Sequence, residues 1–324
     1  MNTKKKYIGF LLLFIGLTLL PCSVKADTGA GELQLLYGNK WIPDRDAFVF
    51  MILGDGFTDR EQDYFYQAAK KTAEAIMETE PFKSRQDIFK CYGLGLVSAE
   101  SGAVGDAAEN AKEAAKDRRD TFFGSYFYSG GTDRLLSIDK EQEEKAELIA
   151  GQYVKDYDFI ILLVNSERYG GSGGDICVAS LHEDSTEIIL HELGHTIAGL
   201  GDEYWPGAEE ICRAKNVSDT DDKKALPWGD LLTEEGVGIY PYEDGEAGWY
   251  KPSTSCKMQY LGKEYDFCPV CQRALNEAFD AHADTGRIAV YEKISYLAIP
   301  AAALLLILLA LAIRSVRENK SKLT

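Results

Sequence analysis

The sequence predicts an α+β domain that is exported from the cell and followed by one membrane-spanning helix. Three observations support this fold class. Lysines at positions 4–6 precede an apolar run, residues 46–199 alternate between strand and helix patterns, and residues 294–313 carry no charge. The segment between the two apolar ends is long enough for a folded domain.

The composition argues against two broad classes of protein. The chain has 324 residues, of which 45% are hydrophobic, so it can form a packed core and is not a disordered tail. Its 35 Lys and Arg residues against 52 Asp and Glu residues give a formal net charge of −17. We therefore expect no nucleic-acid partner, because phosphate binding requires clustered positive charge.

Residues 1–26 have the organisation of a secretory signal peptide. The basic start is followed by the apolar run Ile8–Leu20, and Val24-Lys25-Ala26 places small side chains at the usual cleavage spacing. We expect cleavage after Ala26. The alternatives are a lipoprotein attached through Cys22, for which the preceding Pro21 is a poor match, and a retained N-terminal anchor.

The other end of the chain predicts a transmembrane helix. Ile294 to Ile313 would form a helix about 30 Å long, which matches the hydrocarbon layer of a membrane. Basic residues follow this span, so the positive-inside rule assigns residues 314–324 to the cytoplasm. The sequence thus predicts an extracellular domain at 27–293, held at the cell membrane by a single helix at 294–313.

The extracellular segment begins with a strand–helix–strand unit. The segment from Asp46 to Leu53 has the alternating pattern of a strand and predicts one. The spacing of Thr58 and Glu61 is that of a capping box and predicts a helix that continues to about Glu78. The segment from Phe89 to Val97 predicts a second strand. Residues 103–119 lack an apolar stripe, which indicates a solvated loop or a loose helix.

One more helix and two strands are predicted next. Glu141 to Asp156 is amphipathic, and Tyr157 to Val164 is an apolar, buried strand. The glycine-rich segment 169–174 lacks the ending of a phosphate-binding loop and predicts a flexible turn. Ile176 to Ala179 predicts a short strand; at a sheet edge it would align an extended substrate.

The segment from Asp184 to His195 carries the strongest chemical signal. Asp184, with Glu187 three positions later, predicts a capped helix. His191 and His195 are four residues apart, so both imidazoles project from one face and suit a single tetrahedral Zn²⁺. Glu192 can then reach a metal-bound water without binding the metal. The alternative is a pair of core or solvated histidines.

A third metal ligand is expected just after this helix. Gly199 can end the helix in a left-handed turn, which would fold the next residues back towards the metal. Asp202 is the preferred ligand and Glu203 the second choice. Both could instead be ordinary loop acids.

Several stretches resemble one known family. His191–Tyr204 looks like the signature of the bacterial IgA metallopeptidase family, a metzincin-like group of zinc peptidases. Further similar stretches are Gly54–Thr58, Pro81–Lys83, Ser98–Gly102, Asn165–Gly171, Cys256–Met258 and Phe267–Cys271. The resemblance implies a metzincin-like fold, with a twisted mixed sheet and active-site helix in residues 27–200 and an irregular C-terminal subdomain in residues 201–293.

The resemblance also implies roles for individual residues. The family pattern places an Asp where Asp202 stands, although the usual metzincin motif has a third His at the position of Gly201. Met258 would be the methionine of a turn beneath the zinc. Tyr260 resembles the tyrosine that stabilises the oxyanion in some metzincins; otherwise it is a plain core or surface tyrosine.

Six cysteines remain after the signal peptide, and an even number in an exported chain indicates disulfides. They are Cys91, Cys177, Cys212, Cys256, Cys268 and Cys271. The last three could bind a second zinc, but no fourth ligand is evident near them in the sequence. We expect instead a disulfide that fixes the Met258 turn to the next helix.

Together these features predict a membrane-anchored extracellular zinc endopeptidase that acts on proteins or peptides. His191, His195 and Asp202 would hold one Zn²⁺ with an open fourth position, and Glu192 would act as general base. One alternative is a catalytically inactive, zinc-stabilised cell-surface binding module on the same fold. Another is a zinc-stabilised structural domain without turnover, whose fourth zinc position would be closed.

Overall fold

A computed structural model describes residues 31–204, 214–242 and 248–283. The predicted signal peptide at 1–26 and the predicted membrane helix at 294–313 lie outside the described residues. Within the described ranges, no helix combines the length and the apolar character needed to cross a membrane.

A six-stranded mixed sheet forms the centre of the domain, in the order β1-β3-β2-β4-β6-β5. The four inner strands β3, β2, β4 and β6 run parallel, and the two edge strands pair antiparallel to their neighbours. The strands are β1 (Gln34–Tyr37), β2 (Phe48–Asp55), β3 (Phe89–Leu94), β4 (Phe159–Val164), β5 (Gly171–Ser172) and β6 (Ile176–Ser180). A second, two-stranded sheet pairs β7 (Tyr240–Pro241) with β8 (Tyr250–Lys251).

Helices cover both faces of the large sheet. They are α1 (Gln62–Met77), the short α2 (Ala111–Ala114), α3 (Lys140–Tyr153), α4 (Ser185–Ala198) and α5 (Pro269–Ala283). Residues alternate between the two faces of a strand, and in β2 both sets are buried. Phe48, Phe50 and Ile52 pack in one core with α1, α4 and α5. Val49, Met51 and Leu53 pack in the other core with α3.

The predicted elements agree with this α+β architecture in most places. The capping box of Thr58 and Glu61 is present, and it begins a short 3-10 turn that leads into α1. Residues 103–119 contain α2 as their one regular element within the described chain, which fits the expected loop or loose helix. The sequence patterns did not predict β1 or β5, because four and two residues are too few for a recognisable alternation.

The strand predicted at Ile176–Ala179 is present as β6, but the suggestion that it lies at a sheet edge and adds a substrate strand is wrong. β6 pairs with β4 on one side and with β5 on the other, where Gly171 and Ser172 lie opposite Ala179 and Val178. The glycine-rich segment therefore contains a strand that covers part of β6, because the chain folds back on itself between residues 172 and 176.

The expected disulfide between the Met258 turn and α5 is also wrong. The cysteines of the described residues, Cys91, Cys177, Cys256, Cys268 and Cys271, are free thiols, and Cys212 lies outside these residues. The sulfur atoms of Cys256 and Cys271 are 3.6 Å apart, whereas a disulfide requires about 2.05 Å. The three C-terminal cysteines converge in a cluster with Glu203 and do not form a pair.

The C-terminal part of the chain shares a core with the large sheet. Phe279 of α5 packs edge-on against Phe89 and Phe48, with ring centroids 5.1 and 6.0 Å apart. Segment 214–242 has little regular structure, and the buried Trp228 joins the same core. The division into subdomains at residue 200 stays a prediction.

Candidate active site

Helix α4 presents both predicted histidines on one face. Its apolar residues Ile189, Leu190 and Leu193 are buried in the core, which fixes the rotation of the helix. His191 and His195 then lie one turn apart with their Nε2 atoms separated by 3.1 Å. The expected geometry of the two imidazoles is therefore present.

Backbone carbonyls hold the second nitrogen of each imidazole. Nδ1 of His191 lies 2.9 Å from the carbonyl oxygen of Lys257, and Nδ1 of His195 lies 2.6 Å from that of Leu200. A carbonyl oxygen can only accept, so each Nδ1 carries the proton. Each Nε2 is left with a lone pair for a metal, and this orientation by a second partner is typical of metal-binding histidines.

The turn after α4 brings Asp202 to these two nitrogens. Gly199 ends the helix with φ 60° and ψ 35°, the predicted left-handed turn. Oδ1 of Asp202 lies 3.0 Å from Nε2 of His191 and 3.2 Å from Nε2 of His195. Burial raises the pKa of Asp202, but the two imidazoles, when they are doubly protonated and donate from Nε2, lower it well below its ordinary value.

The turn itself is braced by hydrogen bonds. The side chain of Asn216 bonds both the N–H and the carbonyl of Gly201, each at 2.8 Å. Tyr242 donates its hydroxyl to the carbonyl of Asp202 at 2.6 Å. Because backbone and side chain are both held, Asp202 is preorganised for its place beside the imidazoles.

These three side chains fit a tetrahedral zinc ion. With metal–ligand distances near 2.0 Å, neighbouring ligand atoms of a tetrahedron lie about 3.3 Å apart. The observed separations of 3.0 to 3.2 Å among His191, His195 and Asp202 are close to this value. Two neutral imidazoles and one carboxylate also match the ligand types of catalytic zinc sites.

Glu192 lies on the wall of a cleft next to these ligands. The cleft has a volume of about 560 Å³, and its walls include His191, Glu192, Gly173 and Tyr204. Burial raises the pKa of Glu192, while the neighbouring histidines lower it and Asp202 raises it. A carboxylate in this position can exchange a proton with a group in the cleft.

The Met258 turn supports the site from below. Met258 is fully buried, and a Cβ added to Gly194 would lie 2.6 Å from its Sδ. The glycine within the histidine motif therefore lets the methionine pack directly against α4. This agrees with the predicted role of Met258 as a packing residue.

The expected cap of α4 by Glu187 is wrong. Asp184 occupies the N-cap position but makes no side-chain capping bond. Glu187 is buried and forms an ion pair with Lys257, in the turn that also accepts the bond from His191. The spacing of a capping box is a local sequence pattern. Here the Glu187 carboxylate binds Lys257, a buried lysine from a distant segment, and not the backbone N–H groups at the start of the helix.

Of the two other predicted site residues, Glu203 belongs to a different cluster, and Tyr260 lies outside the lining of the cleft. Glu203 points away from the histidines and lies fully buried beside Cys256, Cys268 and Cys271. The hydroxyl of Tyr260 accepts from Gln259 Nε2 at 2.8 Å, and its ring packs on Tyr265. Gln259 and Leu261 line the cleft, whereas Tyr260 is not among its lining residues.

Sequence reasoning missed Tyr204 and Gly173 as site residues. The half-exposed ring of Tyr204 is stacked on His191, at 6.4 Å between centroids and 24° between planes. A Cβ added to Gly173 would lie 1.7 Å from Oε2 of Glu192. Tyr204 is the last residue of the motif that begins at His191, and this position in the motif could have indicated it as a site residue. For Gly173 the sequence offered only a glycine-rich segment without a recognised partner.

The fold and the site together define a candidate metallohydrolase, and the comparison with known families identifies it further. The family model described as IgA Peptidase M64 matches residues 39–247, which is more than half of the chain. The chain therefore belongs to the IgA peptidase M64 family. No curated protein matches it.

The family match confirms the predicted relationship and implies a metal-dependent peptidase. It covers the histidine motif, Asp202 and Glu203. It ends before Cys256, Met258 and Tyr260, so the resemblance of that last segment depends on the sequence stretches alone.

Proposed function

We propose that the protein is a zinc metalloendopeptidase that cleaves proteins or peptides in the cleft beside α4. The observation that carries this proposal is the convergence of His191, His195 and Asp202 next to a buried glutamate on the cleft wall. A bound Zn²⁺ would polarise the peptide carbonyl and make a water more acidic. The family membership supports the peptidase class.

The residues of the chain perform the remaining steps. Glu192 accepts a proton from the attacking water and delivers it to the departing amine, which restores the carboxylate. His191 and His195 keep their Nε2 atoms available because backbone carbonyls occupy their Nδ1 protons. A tyrosine hydroxyl stabilises the oxyanion; Tyr260 remains the predicted donor, and Tyr204 is the tyrosine that lines the cleft.

The test replaces Glu192 by Gln in the full chain. Metal content should stay unchanged, and cleavage of a mixed peptide library, read by mass spectrometry, should fall by about 10²- to 10⁴-fold. Glu183→Gln is the matched control, because Glu183 is exposed near the start of the same helix and should keep full activity. Unchanged cleavage by Glu192→Gln contradicts the mechanism. A zinc-loaded wild-type chain that cleaves nothing favours the binding module.

We also propose that the peptidase acts at the outer face of the cell membrane. The support is the order of the predicted signal peptide, the uncharged span 294–313 and the basic residues after it. The full chain should remain in the membrane fraction after a high-salt wash, whereas a chain ending at Lys293 should appear in the culture medium. Release of both chains contradicts the anchor.

A further inference from the structure

We propose that the chain binds a second Zn²⁺, in a buried structural site formed by Glu203, Cys256, Cys268 and Cys271. The ligand atoms of these four residues all lie within 4.8 Å of one another. None of the four takes part in the candidate active site, so the proposal stands independently of the peptidase activity.

The spacing of the ligand atoms fits a tetrahedral zinc ion. Zn–S bonds of 2.3 Å and a Zn–O bond of 2.0 Å place neighbouring sulfurs about 3.8 Å apart, and sulfur and oxygen about 3.5 Å apart. The sulfurs of Cys256 and Cys271 are separated by 3.6 Å. The sulfur of Cys271 lies 3.4 Å from Oε1 of Glu203.

Burial and charge indicate that a cation is needed here. Cys256, Cys271 and Glu203 are fully buried, and Cys268 is nearly so. Oε2 of Glu203 has no hydrogen-bond partner within the described residues, although it is inaccessible to water. Lys257, the buried lysine next to Cys256 in the sequence, is already paired with Glu187. Oε1, the oxygen within reach of a metal shared with Cys271, also accepts from Nδ2 of Asn216 at 3.0 Å. The burial of a carboxylate whose second oxygen has no partner is costly unless a cation neutralises the group.

The backbone presents the sulfurs as metal ligands. Cys268 and Cys271 are three residues apart in a Cys-Pro-Val-Cys segment at the start of α5, where the helix dipole favours thiolates. The sulfur of Cys256 accepts N–H bonds from Met258 at 3.5 Å and from Cys268 at 3.4 Å. Such outer contacts hold ligand sulfurs in place in metal sites.

The set of ligands selects zinc and a structural role. Three soft thiolates and one carboxylate favour Zn²⁺ over the hard cations Mg²⁺ and Ca²⁺. All four positions of a tetrahedron would be filled by protein, which is typical of structural zinc and leaves no position for water. The thiols release their protons on binding, so affinity should fall at acidic pH.

The second zinc would join the three segments that build the active site. Glu203 follows Asp202 directly, Cys256 begins the turn that contains Met258, and the other two cysteines begin α5. The N–H of Glu203 already donates to the carbonyl of Met258 at 2.9 Å. A metal at this point would therefore hold the Asp202 loop against the turn beneath the histidines.

The experiment uses the full chain, purified without reductant. Wild type should contain two zinc ions per chain by elemental analysis. After exchange with Co²⁺ it should show the near-ultraviolet charge-transfer band of cobalt–thiolate bonds, which a site of two histidines and an aspartate cannot produce. The His191→Ala/His195→Ala variant should keep one zinc and the full charge-transfer band, and this outcome does not depend on peptidase activity.

Cys271→Ser tests the ligands directly, with Cys91→Ala as the control. Cys91 is a buried free thiol of β3 that is not among the ligand atoms of the cluster, so its loss should leave two metals and the band unchanged. Cys271→Ser should weaken the band and lose the second zinc. One zinc per wild-type chain with no charge-transfer band overturns the proposal. So does a peptide linking Cys256 to Cys271 through a disulfide in the unreduced digest.

Discussion

At the scale of single residues, Gly173 faces the carboxylate of Glu192 with no room for a side chain. A methyl group at residue 173 would lie 1.7 Å from Oε2 of Glu192. Gly173→Ala should therefore displace the proposed general base by about 1 Å and lower kcat/KM by about 10²-fold. The metal content should not change, because the ligands lie on other residues. Peptide cleavage and elemental analysis on the same preparation measure both quantities.

Gly151→Ala is the matched control for this substitution. A Cβ at residue 151 meets only Tyr157, at 3.8 Å, which is an ordinary contact. Because the residue lies in α3, alanine should also raise the free energy of unfolding by roughly 0.5–1 kcal/mol. Equal activity of the two alanine variants would contradict the proposed role of Gly173.

Two tyrosines compete for the role of oxyanion donor. Tyr204 is stacked on His191 and lines the cleft, while the hydroxyl of Tyr260 accepts from Gln259. From this placement we expect Tyr204→Phe to lower kcat by about 10²-fold, as loss of one oxyanion donor does, and Tyr260→Phe to have a much smaller effect. Steady-state kinetics of both variants decides between them; the reverse order would restore the assignment made from the sequence.

The sequence predicts the site residues that lie within one helix and the turn after it. His191, Glu192 and His195 follow from helical periodicity, and Gly199 allows Asp202 to fold back. Glu203 was only the second choice for the same metal, because sequence distance places both acids equally close. The cysteines that surround Glu203 come from a segment more than 50 residues further along the chain. A sequence pattern around Glu203 therefore cannot predict its contact with them.

At the scale of elements, the buried ion pair of Glu187 and Lys257 ties α4 to the Met258 turn. Removing one partner leaves a buried charge without compensation. Lys257→Met should therefore lower the free energy of unfolding by about 3–5 kcal/mol, measured by urea denaturation. Glu187→Met/Lys257→Met, which replaces both charges by apolar side chains of similar volume, should recover most of this loss.

Lys263→Met is the control for this pair. Lys263 is a largely exposed lysine close to the start of α4, so its replacement should change stability by about 0.5 kcal/mol or less. A double variant as unstable as Lys257→Met would show that the turn, and not the buried charge, is the source of the loss.

The elements differ in how far sequence predicts them. β2, β4 and α1 follow from periodicity over many residues. The pairing partners do not, since β6 was expected at an edge and lies between two strands. Strand pairing depends on which segments the chain brings together in space. Here the two-residue strand β5 folds back beside β6 and covers its outer side. The cap expected at Glu187 fails for the same reason, because its true partner is a distant lysine.

At the scale of the whole molecule, one core connects the sheet with the C-terminal segment. The same cluster of buried side chains contains Phe50 of the sheet, Leu193 of α4, Met258 and Phe279 of α5. The candidate active site therefore lies where elements from both halves of the described chain meet. Metal binding to the native arrangement should stabilise this whole core, because a ligand that binds the folded state alone shifts the unfolding equilibrium.

A chelator should consequently remove metal from the molecule in two stages. The active-site ligands are partly exposed at His195, 29% of whose side chain is accessible, whereas the cysteine cluster is closed to solvent. The first stage should release one zinc and abolish cleavage. If free zinc is initially at 1,000 times the Kd of the active site, loss of this ion lowers the free energy of unfolding by about 4.1 kcal/mol. The second zinc should leave only as the protein unfolds, since its ligands come from three packed segments.

Zinc release, peptide cleavage and Tm, followed together over time in chelator, separate these stages. Activity should disappear while one zinc is still bound and the fold persists, with Tm lowered by about 2–4 °C for each kcal/mol lost in a domain of this size. Zinc added back at this point should restore cleavage, because the ligands remain preorganised. Simultaneous loss of both metals with unfolding would mean that the cleft site, and not the cysteine cluster, holds the fold together.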